Sequence, residues 1–140
     1  MRLVLDTNVV VSAILWQGLP GRLLELAGDK QVRLFASRAL LDELGDVLGR
    51  NKLAGKVLAT GLTVPQMLEN YRKSITLVTA RSLQRQVSID ADDDVVLATA
   101  KAAKADLIVS GDRRHLLILG QFEGISIVTV AQAVAMLETA

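Results

Sequence analysis

Met1-Arg2-Leu3-Val4-Leu5-Asp6-Thr7-Asn8 is the stretch on which the reading of the whole chain turns. An apolar segment that starts at once and stops on an acid reads as the central strand of a parallel sheet, Leu3 to Leu5, with Asp6 at its carboxyl end. In open α/β sheets, ligands bind beyond the carboxyl ends of strands where the strand order reverses, so an acid there is a candidate site residue. Asp6 has a second reading as a helix cap, because Asp, Thr and Asn all favour that position. The apolar run that follows, Val9 to Leu15, is ambiguous between helix and strand. The caps offered by Thr7 and Asn8, and the crossover that a parallel sheet requires, favour a helix.

Working outward, Gly18, Pro20 and Gly21 break the chain, and Pro20 opens a second helix that Gly28 and Asp29 close. Val32 to Ala36 reads as strand two, and Ser37 caps a helix carrying Leu40, Leu41, Leu44, Val47 and Leu48. Glu43 stands three residues after Leu40 and four before Val47, so it shares their inward face, whereas Asp42 and Asp46 read as exposed. From Asn51 to Ser74 the pattern weakens into two short helices, the second from about Val64 to Lys73 after a Thr63 cap, followed by a strand over Ile75 to Val78.

Asp90-Ala91-Asp92-Asp93-Asp94 precedes an alanine-rich helix from Val95 to Lys104. One or two acids at a helix start answer its dipole, but four within five positions exceed what that requires. Asp106 to Val109 is the next strand, and Ser110-Gly111-Asp112 again ends an apolar strand on a polar edge. Asp112 reads as a second site acid or as the cap of a short helix through Leu116. Ile125 to Val128 is the last strand, and Thr129 caps a terminal helix to Leu137. The alternation predicts one α/β domain over residues 1–140, with right-handed crossovers and a parallel sheet of about five strands.

Composition narrows the function. The chain has 140 residues, 51% of them hydrophobic, enough for one core that buries about two-thirds of the unfolded surface. Aromatics are only 3%, which counts against modules that stack bases or sugars on aromatic platforms. A net charge of +1 leaves no global footprint for non-specific nucleic-acid binding. The absence of cysteine excludes disulfides, thiolate metal sites and thiol catalysis, and suits a reducing cytoplasm. The single histidine, His115, argues against a histidine-rich zinc site and reads as a packed or partly exposed side chain, or as one that joins the neighbouring arginines in substrate contact. No apolar run approaches the roughly 20 residues that span a bilayer, so a cytoplasmic protein without a membrane partner is expected.

If strands one and four are neighbours, Asp6 and Asp112 face each other, and Glu43 and the start of the Asp93 helix reach the same crevice. Two carboxylates about 5 Å apart repel by roughly 3 kcal/mol at an effective dielectric near 20. A divalent cation reverses that sign. An oxygen-rich donor set favours Mg²⁺ or Mn²⁺ over zinc, and the reaction such an ion serves best is phosphodiester hydrolysis.

Leu5-Asp6-Thr7-Asn8, Glu43, Asp92-Asp93 before Leu97-Ala98-Thr99-Ala100, and Val109-Ser110-Gly111-Asp112 together resemble the PIN-domain ribonucleases, over essentially the whole chain. The likeness is strongest to the VapC-like toxins of prokaryotic type II toxin–antitoxin pairs. It implies a three-layer α/β/α PIN-like fold with strand order 3-2-1-4-5, endoribonuclease activity on an RNA substrate, frequent homodimers, and inhibition by an antitoxin partner. Position by position, Asp6, Glu43, Asp93 and Asp112 match the family's metal-binding and catalytic acids, with Asp92 the substitute for Asp93. Asn8 and Ser110 match its supporting polar residues, and Thr7 extends the same polar edge. Arg81, Arg85, Arg113 and Arg114 read either as phosphate contacts for RNA or as solvated surface charge. Two other readings are open: a phosphatase-like Mg²⁺ enzyme with an aspartyl nucleophile, and a non-catalytic metal-binding RNA or assembly module.

Overall fold

A computed structural model of the chain describes residues 1–28, 32–81, 83 and 91–139, without the side chains of residues 91 and 92. In order, the elements are β1 (Arg2–Leu5), α1 (Thr7–Leu15), α2 (Gly18–Gly28), β2 (Arg33–Ala36), α3 (Arg38–Leu48), a 3-10 turn (Asn51–Leu53), α4 (Ala54–Ala59) and α5 (Val64–Ser74). They continue with β3 (Ile75–Leu77), α6 (Ala91–Ala103), β4 (Leu107–Val109), a 3-10 turn (Leu117–Leu119), β5 (Gln121–Phe122), β6 (Ile125–Val128) and α7 (Val130–Glu138).

The strands form one sheet in the order β3-β2-β1-β4-β6-β5. All pairings are parallel except that of β5 with β6. The five parallel strands therefore stand in the expected 3-2-1-4-5 order, with β6 as the fifth. The two-residue β5 is an addition, too short to leave a periodic signal. It turns into β6 through Glu123 and Gly124, whose φ angles of 48° and 82° suit the tight turn of a two-residue hairpin.

Why the sheet is covered on both faces follows from its strands. Consecutive side chains point to opposite faces, yet Leu3, Val4 and Leu5 of β1 and Leu107, Ile108 and Val109 of β4 are all buried. The cover comes from α6, packed on β1, β2 and β4, and from α7 on β4, while α1 packs on α2 and α3. The alanines of α6 allow its close approach, because Ala100 and Ala103 are fully buried and have no side chain beyond Cβ. Local signals place the helix starts. Ser37 accepts from the Leu40 N–H, and Thr63 and Thr129 form reciprocal capping boxes with Gln66 and Gln132.

α2 begins at Gly18, two residues before the expected opening at Pro20, and two boundaries near the candidate site also differ from expectation. α6 begins at Ala91 rather than Val95, so Asp92, Asp93 and Asp94 lie inside its first turn, where the helix dipole favours acids. After Asp112 the chain makes a turn and then the 3-10 segment, rather than a short helix through Leu116. Among the described residues no single helix is long and apolar enough to cross a membrane, and α1 and α2 meet at 94°.

Candidate functional site

The sheet's strand order reverses between β1 and β4, and this is where the polar edges of both strands meet. Leu5 pairs with Val109, and the Asp6 N–H then donates to the Val109 carbonyl at 2.9 Å. On the other side of β4 the Ser110 N–H donates to the Val128 carbonyl at 3.0 Å. The ladder thus delivers Asp6 and Ser110 side by side at the carboxyl end of the sheet, although they are 104 residues apart in sequence.

Asp6 has extended backbone angles and caps α1, with Oδ1 accepting from the Thr7 N–H at 2.8 Å. Its other oxygen, Oδ2, accepts from the Ser110 hydroxyl at 2.9 Å. The two sequence readings of Asp6 are therefore compatible: one carboxylate oxygen caps the helix and the other faces β4. Ser110, fully buried, passes the connection on, since its Oγ accepts from the Asp112 N–H at 3.0 Å.

Asp112 organises the next turn. Its Oδ1 accepts from the N–H groups of Arg114 and His115, each at 3.1 Å. Its Oδ2 lies 3.3 Å from His115 Nδ1, and Oδ2 of Asp93 lies 3.4 Å from the same nitrogen. Asp93 is buried, on the α6 face that also carries Val96, Leu97 and Ala100. Asp93, Asp112 and His115 each offer a ligand atom within 4.8 Å of the other two. Burial pushes the Asp112 carboxyl up, but hydrogen bonds from the His115 backbone, the Asp93 side chain and the Arg114 backbone, with the His115 charge, outweigh it. Their sum holds Asp112 below the ordinary carboxylate range.

The sequence model of the PIN domain family matches residues 2–114, a span that includes all four candidate acids. The chain belongs to the PIN domain family. PIN domains are generally nucleases. Over 114 residues this PIN domain is 28% identical to the uncharacterized protein MJ1680 of Methanocaldococcus jannaschii, covering 81% of this chain and 72% of that protein. It also resembles a chain in the crystal structure of VapBC2 from Rickettsia felis bound to a DNA fragment from their promoter. That likeness has a TM-score of 0.61 and covers 92% of this chain and 98% of the other, at 16% identity, and is one of fold.

Within the PIN domain the other candidates are spread more widely. Glu43 is half-buried on α3, which packs against α1 and α6, and it is not a member of the tight group around His115. Asn8 is exposed beside Asp6. Thr7 is buried, its Oγ1 has no hydrogen-bond partner among the described residues, and it lines a small cavity with Leu5, Val10, Leu40, Leu44 and Tyr71. Arg113 and Arg114 are exposed next to Asp112, and Arg81 is exposed. Arg85 and Asp90 lie outside the described residues, as does the side chain of Asp92.

Sequence reasoning missed two features. His115 is partly exposed, as expected, but its ring also touches both Asp93 and Asp112, and its position three residues after Asp112 was the available signal. The second is a buried hydroxyl pair, Ser37 Oγ to Thr99 Oγ1 at 2.8 Å, which ties the start of α3 to α6. Thr99 donates to the Val95 carbonyl and Ser37 accepts from the Leu40 N–H, so the proton between the hydroxyls is donated by Ser37. A threonine on the apolar face of an alanine-rich helix was the clue, since a buried hydroxyl requires a partner.

Proposed function

We propose that this PIN domain is a divalent-metal-dependent endoribonuclease, the toxin of a type II toxin–antitoxin pair acting in the cytoplasm. The observation that carries the reading is that Asp6, joined through Ser110 to the Asp112 turn, and Asp93, grouped with Asp112 and His115, stand at the carboxyl end of the sheet where strand order reverses, within a fold whose family members are generally nucleases. The donor chemistry fits a hard cation. Asp112 is held ionised against a second carboxyl, and Asp6 keeps its charge-bearing oxygens on a hydroxyl and a backbone N–H. Asp6, Asp93 and Asp112, with Glu43 from α3, would hold Mg²⁺ or Mn²⁺, and Asp92 is the alternative to Asp93. Such an ion, when bound, supplies Lewis acidity for a phosphate oxygen and lowers the pKa of water.

The chain's own residues do the rest. Ser110 fixes the spacing between Asp6 and the Asp112 turn, and the two backbone donors on Asp112 Oδ1 leave Oδ2 turned toward Asp93 and His115. Exposed Arg113 and Arg114 are placed to contact backbone phosphates flanking the cleaved bond, with Arg81 and Arg85 further contributors. Such contacts position the strand and leave base choice open. An antitoxin partner is supported by the likeness to the VapBC2 complex, and a homodimer is part of the same reading. Both are supported by the exposed apolar side chains Trp16, Leu19 and Leu58, which a protein partner would cover.

The test is an RNA cleavage assay with Mg²⁺ or Mn²⁺, in chelator, and with Asp6→Asn and Asp112→Asn. Internal cuts that require the ion and vanish in both variants support the reading. Equal cutting by wild type and variants, or by wild type in chelator, refutes it. Growth arrest on expression, relieved by a co-expressed neighbouring gene product that copurifies, tests the pairing.

A further inference from the structure

We propose that His115 is itself a metal ligand, making the centre a mixed nitrogen and oxygen site that selects Mn²⁺ over Mg²⁺. This rests on the metal-dependent reading above and adds a donor that the acids alone do not supply. The geometry is specific. His115 Nδ1 lies 3.3 Å from an Asp112 oxygen and 3.4 Å from an Asp93 oxygen. Adjacent ligand atoms around one octahedral ion with bonds of about 2.1 Å stand about 3 Å apart. Both distances from His115 Nδ1 approximate that spacing, and all three ligand atoms lie within 4.8 Å of one another.

The imidazole is also held in place. The His115 N–H is bonded to Asp112 Oδ1, and the next residue, Leu116, is fully buried, so the backbone beneath the ring is anchored on both sides. The side chain is 29% exposed, which leaves an open edge where substrate can approach. Chemistry then sets the preference. Mg²⁺ is hard, binds oxygen and gives up water reluctantly, whereas imidazole gains affinity along the first-row series that begins with Mn²⁺. Exchanging one oxygen donor for imidazole therefore discriminates against Mg²⁺.

His115 is the only histidine of the chain, so any histidine signal from tag-free protein is unambiguous. The experiment loads tag-free protein with Mn²⁺ and reads nitrogen couplings by electron spin-echo modulation, with and without ¹⁵N-histidine. It also measures Mn²⁺ and Mg²⁺ affinities by calorimetry for wild type and His115→Gln. Directly coupled nitrogen that changes with the isotope, with a Mn²⁺-to-Mg²⁺ affinity ratio that falls at least about tenfold in His115→Gln, is the expected result. Bound Mn²⁺ without nitrogen coupling overturns the proposal and leaves the acid-based metal reading standing, because the ring then only bridges two acids in the ion-free protein. An unchanged affinity ratio overturns the claim of selectivity. Failure of wild type to bind either ion overturns this proposal and the metal-dependent reading together. The coupling measurement needs no variant and decides the matter even if His115→Gln does not fold.

Discussion

Replacing Ser110 with alanine tests the joint that holds the two halves of the site together. The serine is fully buried, donates to Asp6 Oδ2 at 2.9 Å and accepts from the Asp112 N–H at 3.0 Å. Alanine removes both bonds and leaves a methyl-sized hole of little consequence, so the cost is polar. A hydrogen bond to a charged group contributes about 1.5–3 kcal/mol, and an orphaned donor costs about 1–3 kcal/mol, toward the low end where it is part-buried, as at Asp112. Because one hydroxyl serves both, the terms overlap, and about 2–4 kcal/mol is expected. Unfolding entropy for 140 residues is about 0.3 kcal/mol per kelvin, which converts that loss to a Tm drop of about 7–14 °C. Calorimetry and urea titration of ion-free protein read it, with Ser126→Ala on the exposed side of β6 as the control expected within about 0.5 kcal/mol of wild type. In the folded fraction, freeing Asp112 from Asp6 should also lower metal affinity. A loss below about 1 kcal/mol, or a Ser126→Ala effect of the same size, would refute the reasoning.

Thr99→Val removes the acceptor for the Ser37 hydroxyl and should cost about 1–3 kcal/mol, and a double-mutant cycle with Ser37→Ala should show at least about 0.5 kcal/mol of coupling; additive losses would mean that α3 and α6 are not joined there. Burial pushes the Tyr71 phenol up from its ordinary value of 10.0, so the folded state keeps a proton that the unfolded chain loses. Its stabilisation is complete below about pH 10 and declines above it, by up to about 1.4 kcal/mol per pH unit, until the folded phenol itself titrates. Denaturant titrations at pH 9 to 11 should show that extra slope in wild type and not in Tyr71→Phe, and identical slopes would show that Tyr71 ionises as freely when folded. Asp93→Asn should abolish cleavage while RNA binding persists with metal present, and Asp92→Asn should be milder; the reverse ranking moves the ligand one position along the aspartate run. Arg113→Ala with Arg114→Ala should weaken RNA binding and flatten its salt dependence with metal affinity unchanged, as read by titrations at several salt concentrations.

Much of this molecule was legible because the deciding interactions are local. Ser37, Thr63 and Thr129 each cap a helix by bonding an N–H three residues ahead, so residue type and spacing are enough to find them. Uninterrupted apolar runs at Leu3 to Leu5 and Leu107 to Val109 marked strands buried on both faces, and the β and helix alternation marked a parallel sheet. The β5–β6 hairpin escaped notice because Glu123-Gly124 is not one of the strong turn pairs and β5 has only two residues.

What only the tertiary structure decided is how the acids meet. Asp6 and Ser110 touch because β1 and β4 are neighbours, a long-range pairing that no residue within either strand specifies by itself. His115 reaches Asp93 only once α6 has packed across β1 and β4, and the burial of Thr7 and the Ser37–Thr99 bond are likewise products of packing between elements distant in sequence. The sequence determined which side chains stand at the strand ends. The docking of strands and helices determined which of their atoms come within hydrogen-bonding reach, because the energy of those contacts depends on distances that local propensity does not set.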